Sequence, residues 1–235
     1  MVNGRKRFLK LYICFVACKQ GFLAGCRPII GVNGCHLKGH QKGEQLLTAV
    51  GIDGNNMMCH ISFTVVEGEL KETWRWFLTL LDEDLRISQN PFAWTFISDK
   101  QKGLLRAFDD IMLDVAHRFC VRHLHNNFKM EGFGGQALKD ILWKAAKVTT
   151  EPEFFKHMER MAKLDPKALK WFINKPPIHW SRAFFSSFSK CDALLNNLCE
   201  SFNSVLLHVR DKHIWTMLES IRIYMMSRLQ KIVIR

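Results

Sequence analysis

The apolar pattern of residues 28–129 changes period in a fixed order, and this order constrains the fold more than any other feature of the chain. Three β-type runs come first. Residues 28–32 are a β-branched run after a proline, and residues 46–52 and 57–66 continue it. The glycine-flanked segment 38–43 separates the first two runs as a hairpin loop. Asp53-Gly54-Asn55-Asn56 is a clear turn between the second and third. From Lys71 the period becomes helical, with Trp74, Phe77, Leu78, Leu81 and Leu85 on one face of a helix over 71–85. Trp76 sits off that stripe and reads as packing on a neighbour. Strand (94–98), helix (101–112), strand (115–119) and helix (121–129) then alternate.

Three hairpin-linked strands followed by alternating helix and strand is the order of a ribonuclease H-like fold. It is an α/β class with a mixed sheet flanked by helices on both faces. Beyond Gly132-Phe133-Gly134-Gly135 the character changes. Helical patterns over 136–147, 151–163 and 166–174 follow without strand signals, and a polar, aromatic loop runs to residue 190. A long helix over 192–209 and an amphipathic helix over 215–234 close the chain. The expected division is a helical lead-in (1–27), a core (28–133), an all-helical insertion with its loop (134–190) and C-terminal helices that complete the core (191–235). In the lead-in, Arg5-Lys6-Arg7 ahead of apolar residues 11–18 resembles a signal peptide. Lys10 and Lys19 leave an apolar run of only eight residues, which reads instead as a short buried helix. No stretch approaches the roughly 20 apolar residues of a membrane span, so no membrane is expected among the partners. Trp94, Trp143, Trp171, Trp180 and Trp215 are expected to anchor the core or the insertion.

Charge indicates what such a body would meet. The net charge is +12, yet residues 1–43 hold eight Lys/Arg and no carboxylate, and residues 201–235 hold six against two acids. Basic ends on a neutral middle suit a polyanion, nucleic acid ahead of membrane. The eight cysteines are scattered, with no Cys-x-x-Cys pair, which favours reduced thiols in the cytosol or nucleus over a disulfide framework.

Two-metal phosphoryl transfer needs carboxylates that converge on one spot. In a sheet of this order the converging positions are the middle of the first strand, the tip of the fourth and a late helix laid across them. Here they are Asn33, Asp99 and Glu200. Asn33 brings an amide oxygen but no charge. With the hairpin centred near Gln41, position 33 faces about 49, and Asp53 lies about 13 Å further along. Glu67 and Glu69, past the far end of the third strand, are excluded on similar grounds. Each position also has a plainer reading. Asp99 could cap the following helix, and Glu200 could pair with a nearby Lys or Arg. Cys120 and His123 could be half of a zinc site, but no second pair completes it; buried structural roles are expected and no zinc site is assigned. Asn196, Asn197 and Asn203 surround Glu200 and could orient it or merely line a polar groove. Lys100, Lys102 and Arg122 flank the centre as candidate phosphate contacts.

Together the segments GCRPIIGVNGCHLKG (25–39), QLLTAVGIDGNN (45–56), VVEGELKETWRWFL (65–78), FISDKQKGLL (96–105), HRFCVRHLHNNF (117–128) and LLNNLCESFN (194–203) resemble the catalytic core of Mutator-like (MULE) transposases of the plant MuDR type, from Phe15 to about Leu229. The resemblance implies DNA cleavage and strand transfer at terminal inverted repeats by a DDE triad with Mg²⁺ or Mn²⁺, in the nucleus. The partner would be transposon and target DNA, and assembly into a homo-oligomer is compatible with it. It carries the second acid onto Asp99, the glutamate onto Glu200 and the family's Cys-x-x-His element onto Cys120 and His123. The first acid falls on Asn33, where the family has Asp-Gly and this chain has Asn33-Gly34. That departure implies an impaired enzyme with weak metal binding at Asp99 and Glu200. The family's zinc-chelating DNA-binding region and SWIM-type finger are not among these residues, so a truncated copy is expected. A transposase-derived nuclear DNA-binding or transcription regulatory protein without catalysis is the alternative.

Overall fold

The computed structural model describes residues 9–39 and 43–233. Among them six strands form one mixed sheet: β1 (Leu11–Cys14), β2 (Cys26–His36), β3 (Gln45–Asp53), β4 (Met58–Val66), β5 (Thr95–Ser98) and β6 (Ala116–Phe119). Their spatial order is β1-β4-β3-β2-β5-β6. The first four pair antiparallel, and β2-β5 and β5-β6 pair parallel. With helices on both faces this is the α/β arrangement expected of a ribonuclease H-like chain. The helix at Lys71–Leu85 (α2, after α1 at Val16–Gly25) has the predicted bounds, and α3 (Lys102–Ile111) and α4 (Val121–Met130) lie within a residue of theirs.

The sheet's period of two sorts its side chains into two layers. Ile30, Val32, Leu47 and Phe96 face α2 and α3, where Trp74, Phe77 and Leu104 are buried. The opposite face, with Cys35, Leu46, Val50 and Phe63, meets α8 (Asn197–Val205) and α9 (Ile214–Val233) through Phe202, Ile221 and Met225. Each large apolar side chain so buried contributes about 1.5–3 kcal/mol. Between these parts of the chain, α5 (Gln136–Lys147), α6 (Glu151–Leu164) and α7 (Pro166–Phe172) pack with α4 around Phe128, Leu142, Phe154, Met161, Phe172 and Trp180. Asp165 caps α7 by accepting from the Lys167 and Ala168 amides at 2.8 and 3.3 Å. No helix among the described residues is long and apolar enough to cross a membrane.

Three expectations are corrected here. Residues 11–18 are not one buried helix: Leu11–Cys14 is an edge strand on β4, and the helix begins at Val16. The β-prone run Leu-Tyr-Ile-Cys has an open strand edge to pair with, and Thr64 Oγ1 adds a 2.6 Å bond to the Leu11 carbonyl. The long helix over 192–209 is confined to Asn197–Val205 with a short 3₁₀ turn after it. Carbonyls ahead of it are taken by tertiary donors instead: Cys191 by Arg118 at 2.6 Å, Asp192 by Arg182 at 2.9 Å and Leu194 by the Val121 amide at 2.8 Å. Trp215 is 80% exposed and anchors nothing. Trp76 does pack on neighbours, edge-on to Tyr12 and under the Lys10 ammonium at 4.2 Å. The predicted hairpin centre at Gln41, with residues 40–42, and the basic start at Arg5-Lys6-Arg7 lie outside the described residues.

Candidate metal centre

The candidate site lies where β5 ends beside β2. Ile30 pairs with Phe96 and Gly31 with Ile97, and continuing that register by two residues sets Asn33 beside Asp99. Gly31 faces α8, so Asn33, two residues on, shares that face. In the hairpin Asn33 faces Thr48, one residue from the expected partner. Asp53 is at the opposite end of the sheet, paired with Cys26, and its carboxylate accepts from the Asn55 and Met57 amides at 2.8 Å.

Close approach of α8 to the sheet depends on Gly31. A Cβ there would stand 2.6 Å from Asn196 Oδ1 and 3.2 Å from Cys199 Sγ. Asn196, fully buried, donates from Nδ2 to the Val32 carbonyl at 2.9 Å and pins the start of α8 on β2. Glu200 then falls in the first turn of α8, where the helix dipole favours a carboxylate. It pairs with Arg122 of α4, which also donates to Asn197 Oδ1 at 3.0 Å. The ion-pair reading of Glu200 is thus realised at the pocket itself.

Asp99 is not a cap. Gln101 caps α3, its Oε1 accepting from the Leu104 amide at 2.6 Å. Asp99 Oδ1 is buried with no hydrogen-bond partner, an oxygen left free for a ligand. Burial pushes the Asp99 carboxyl above its ordinary range, and the His123 ring and the Gln101 amide pull it part-way back. Asn33 offers less: its Oδ1 already accepts from the Gly34 amide at 2.8 Å.

Glu69, which the sequence reading set aside, lies at Gly34, on the face of β2 opposite Asn33. Its carboxylate lies 2.9–3.0 Å from where a Gly34 Cβ would be, and its carbonyl accepts from Gln101 Nε2 at 2.8 Å. Burial, then the charge of Asp99, pushes Glu69 up to about 7. The turn 67–70 after β4 folds back over β2, and only the missing side chain of Gly34 leaves room for it. Glycine next to Asn33 was the available signal.

Cys120 and His123 sit at the head of α4. The Cys120 amide donates to the Ser98 carbonyl at 2.7 Å, which brings Cys120 level with Asp99. One ligand atom each of Cys120, His123 and Glu200 lies within 4.8 Å of the others. Burial pushes the Cys120 thiol up, but His123 beside it and the Asn196 backbone N–H outweigh that and leave it below its ordinary range. The Cys120 sulfur raises His123, and Asp99 and Glu200 add to the rise against burial. Of the candidate phosphate contacts, Lys102 is exposed at the start of α3. Lys100 instead lies 4.9 Å over the Phe119 ring, its ammonium disfavoured by burial, and Arg122 is held by Glu200.

The family model of the MULE transposase domain matches residues 29–127, a span holding Asn33, Glu69, Asp99, Cys120 and His123 and ending before Glu200. No curated protein matches the chain. Transposase domains generally bind DNA and use divalent metals. Residues 29–127, which hold most of the sheet, are thus similar to a MULE transposase domain.

Proposed function

We propose that this chain is the core of a Mutator-like transposase that acts on terminal-inverted-repeat DNA in the nucleus and is impaired in strand cleavage and transfer. What supports the reading is that the β2–β5 register, continued past β5, brings Asn33 toward Asp99, that α8 with Glu200 in its first turn packs on β2 at Gly31, and that position 33 carries no charge. Asp99, with its free buried oxygen, and Glu200 fit a hard divalent cation such as Mg²⁺ or Mn²⁺. Such an ion, when bound, supplies an activated water and charge stabilisation at the phosphate. Asn33 spends its oxygen on the Gly34 amide, so the cation is held by two charges where three are usual for the triad. Lys102 offers the phosphate backbone an ammonium near this pocket.

Purified protein is expected to give no Mg²⁺- or Mn²⁺-dependent nicking of inverted-repeat DNA. Asn33→Asp should tighten Mn²⁺ binding by about tenfold or more, since affinity follows the count of ligand charges. Fused to a DNA-reading module, that variant should regain nicking. Robust cleavage by the unaltered chain would overturn the impairment. A second reading, a nuclear DNA-binding regulator without catalysis, draws on the same uncharged Asn33 in a pocket whose scaffold is well packed. It predicts that the chain binds inverted-repeat DNA as tightly as Asn33→Asp does, with no cation dependence.

A further inference from the structure

Beside the carboxylates, the pocket gathers a softer donor set. Cys120 Sγ, a ring nitrogen of His123 and a carboxylate oxygen of Glu200 lie within 4.8 Å of one another. Cys120 is fully buried, and His123 Nδ1 is buried without a hydrogen-bond partner. The positions are fixed by backbone. Cys120 is the N-cap of α4 and His123 its third helical residue, so one turn of helix brings them to the same side. The head of α4 is tied to β5 through Ser98 and to the segment before α8 through Leu194. Glu200 arrives from α8, seated on β2 by Gly31 and Asn196.

We propose that Cys120, His123 and Glu200 form a binding site for Zn²⁺. Zinc takes thiolate sulfur at about 2.3 Å and imidazole nitrogen or carboxylate oxygen at about 2.0–2.2 Å. Donors around one ion therefore stand about 3.5 Å apart, and side-chain closure of about 1 Å completes the set. Thiolate and imidazole select against Mg²⁺, which prefers oxygen. Three protein ligands leave a fourth position open, as zinc sites that exchange a ligand do. The two negative donors match the ion's charge, and Arg122 can keep the second oxygen of Glu200. The site touches the reading above only through Glu200, which both donor sets share, so zinc bound here withdraws Glu200 from Asp99.

The test is a titration of the full chain, reduced and stripped with a chelator, with Co²⁺ as a spectroscopic probe and then Zn²⁺ against a chromophoric chelator. Expected is one equivalent of Co²⁺ with a thiolate-to-cobalt charge-transfer band, displaced by one equivalent of Zn²⁺ and not by excess Mg²⁺. Cys120→Ser should abolish the band. His123→Gln, on the half-buried side of the site and chosen to keep the fold, should weaken binding at least about tenfold. The double variant Cys26→Ser/Cys59→Ser, which removes two thiols 2.7 Å apart outside the site, should keep the band. Absence of the band in the unaltered protein, its survival in Cys120→Ser, or its loss in the Cys26/Cys59 variant overturns the site. No DNA enters the titration, so such a failure leaves the strand-transfer reading standing, and that reading fails or holds on the nicking and DNA-binding assays alone.

Discussion

At the residue scale the pocket is shaped by what two glycines leave out. A side chain at Gly31 would collide with Asn196 and Cys199, both buried under α8. Gly31→Val is therefore expected to cost about 1–3 kcal/mol by overpacking and to move Glu200. Urea unfolding measures the first effect and loss of metal binding the second. At Gly34 the vacated space holds Glu69, whose raised carboxyl has a direction of its own. A group with folded pKa about 7 and unfolded value near 4.5 binds more protons when folded, so it costs stability as pH rises through that window. Glu69→Gln should remove the cost. In chelator, its midpoint in urea should exceed that of the parent at pH 8 by on the order of 1 kcal/mol, allowing for solvent screening, and match it near pH 4. The expectation that Asn33, Asp99 and Glu200 converge draws on a known strand order. The place of Glu69 beside Gly34 was not legible, because counting residues along a strand says nothing about a turn that folds back over its neighbour.

At the element scale the strand and helix periods of residues 28–129 predict their elements closely, since burial on one or two faces writes itself into local spacing. The failures are segments whose partners lie far along the chain. Leu11–Cys14 becomes a strand because β4 offers an edge, and residues 191–196 stay out of the helix because Arg118, Arg182 and Val121 claim their carbonyls. A pair of thiols belongs to the same class. Cys26, where α1 passes into β2, meets Cys59 of β4 with its sulfurs 2.7 Å apart, although the residues are 33 apart in sequence. Oxidation of the folded chain by diamide is expected to join them, with the two thiols giving up their hydrogens to the diamide. Peptide mapping without reductant should recover this link ahead of any other, and the linked protein should gain about 2–4 kcal/mol of stability. Random pairing among the eight cysteines would contradict the contact.

For the whole molecule, burial of imidazole sets the acid limit. His117 and His60 are both pushed down to about 3, chiefly by burial. Their unfolded values lie near 6.5, so below that pH the unfolded chain takes up protons that the folded chain refuses. Stability should fall as pH drops from 6.5 toward 3, by on the order of 2–3 kcal/mol for each histidine at pH 4, and a series of urea midpoints checks it. The basic ends make a second expectation: affinity for DNA should drop steeply with salt, by about a thousandfold or more between 50 and 200 mM if six or more phosphates are contacted. By itself the sequence determined the order and type of the core elements, the charge of the molecule and the uncharged residue at position 33, because each is written in neighbouring residues or in composition. Only the tertiary structure decided that β1 closes the sheet, that α8 is short, that Glu69 fills the space at Gly34 and that Cys120, His123 and Glu200 meet. Those outcomes depend on register, on the gaps beside Gly31 and Gly34 and on which distant group satisfies a given carbonyl, and no local pattern records them.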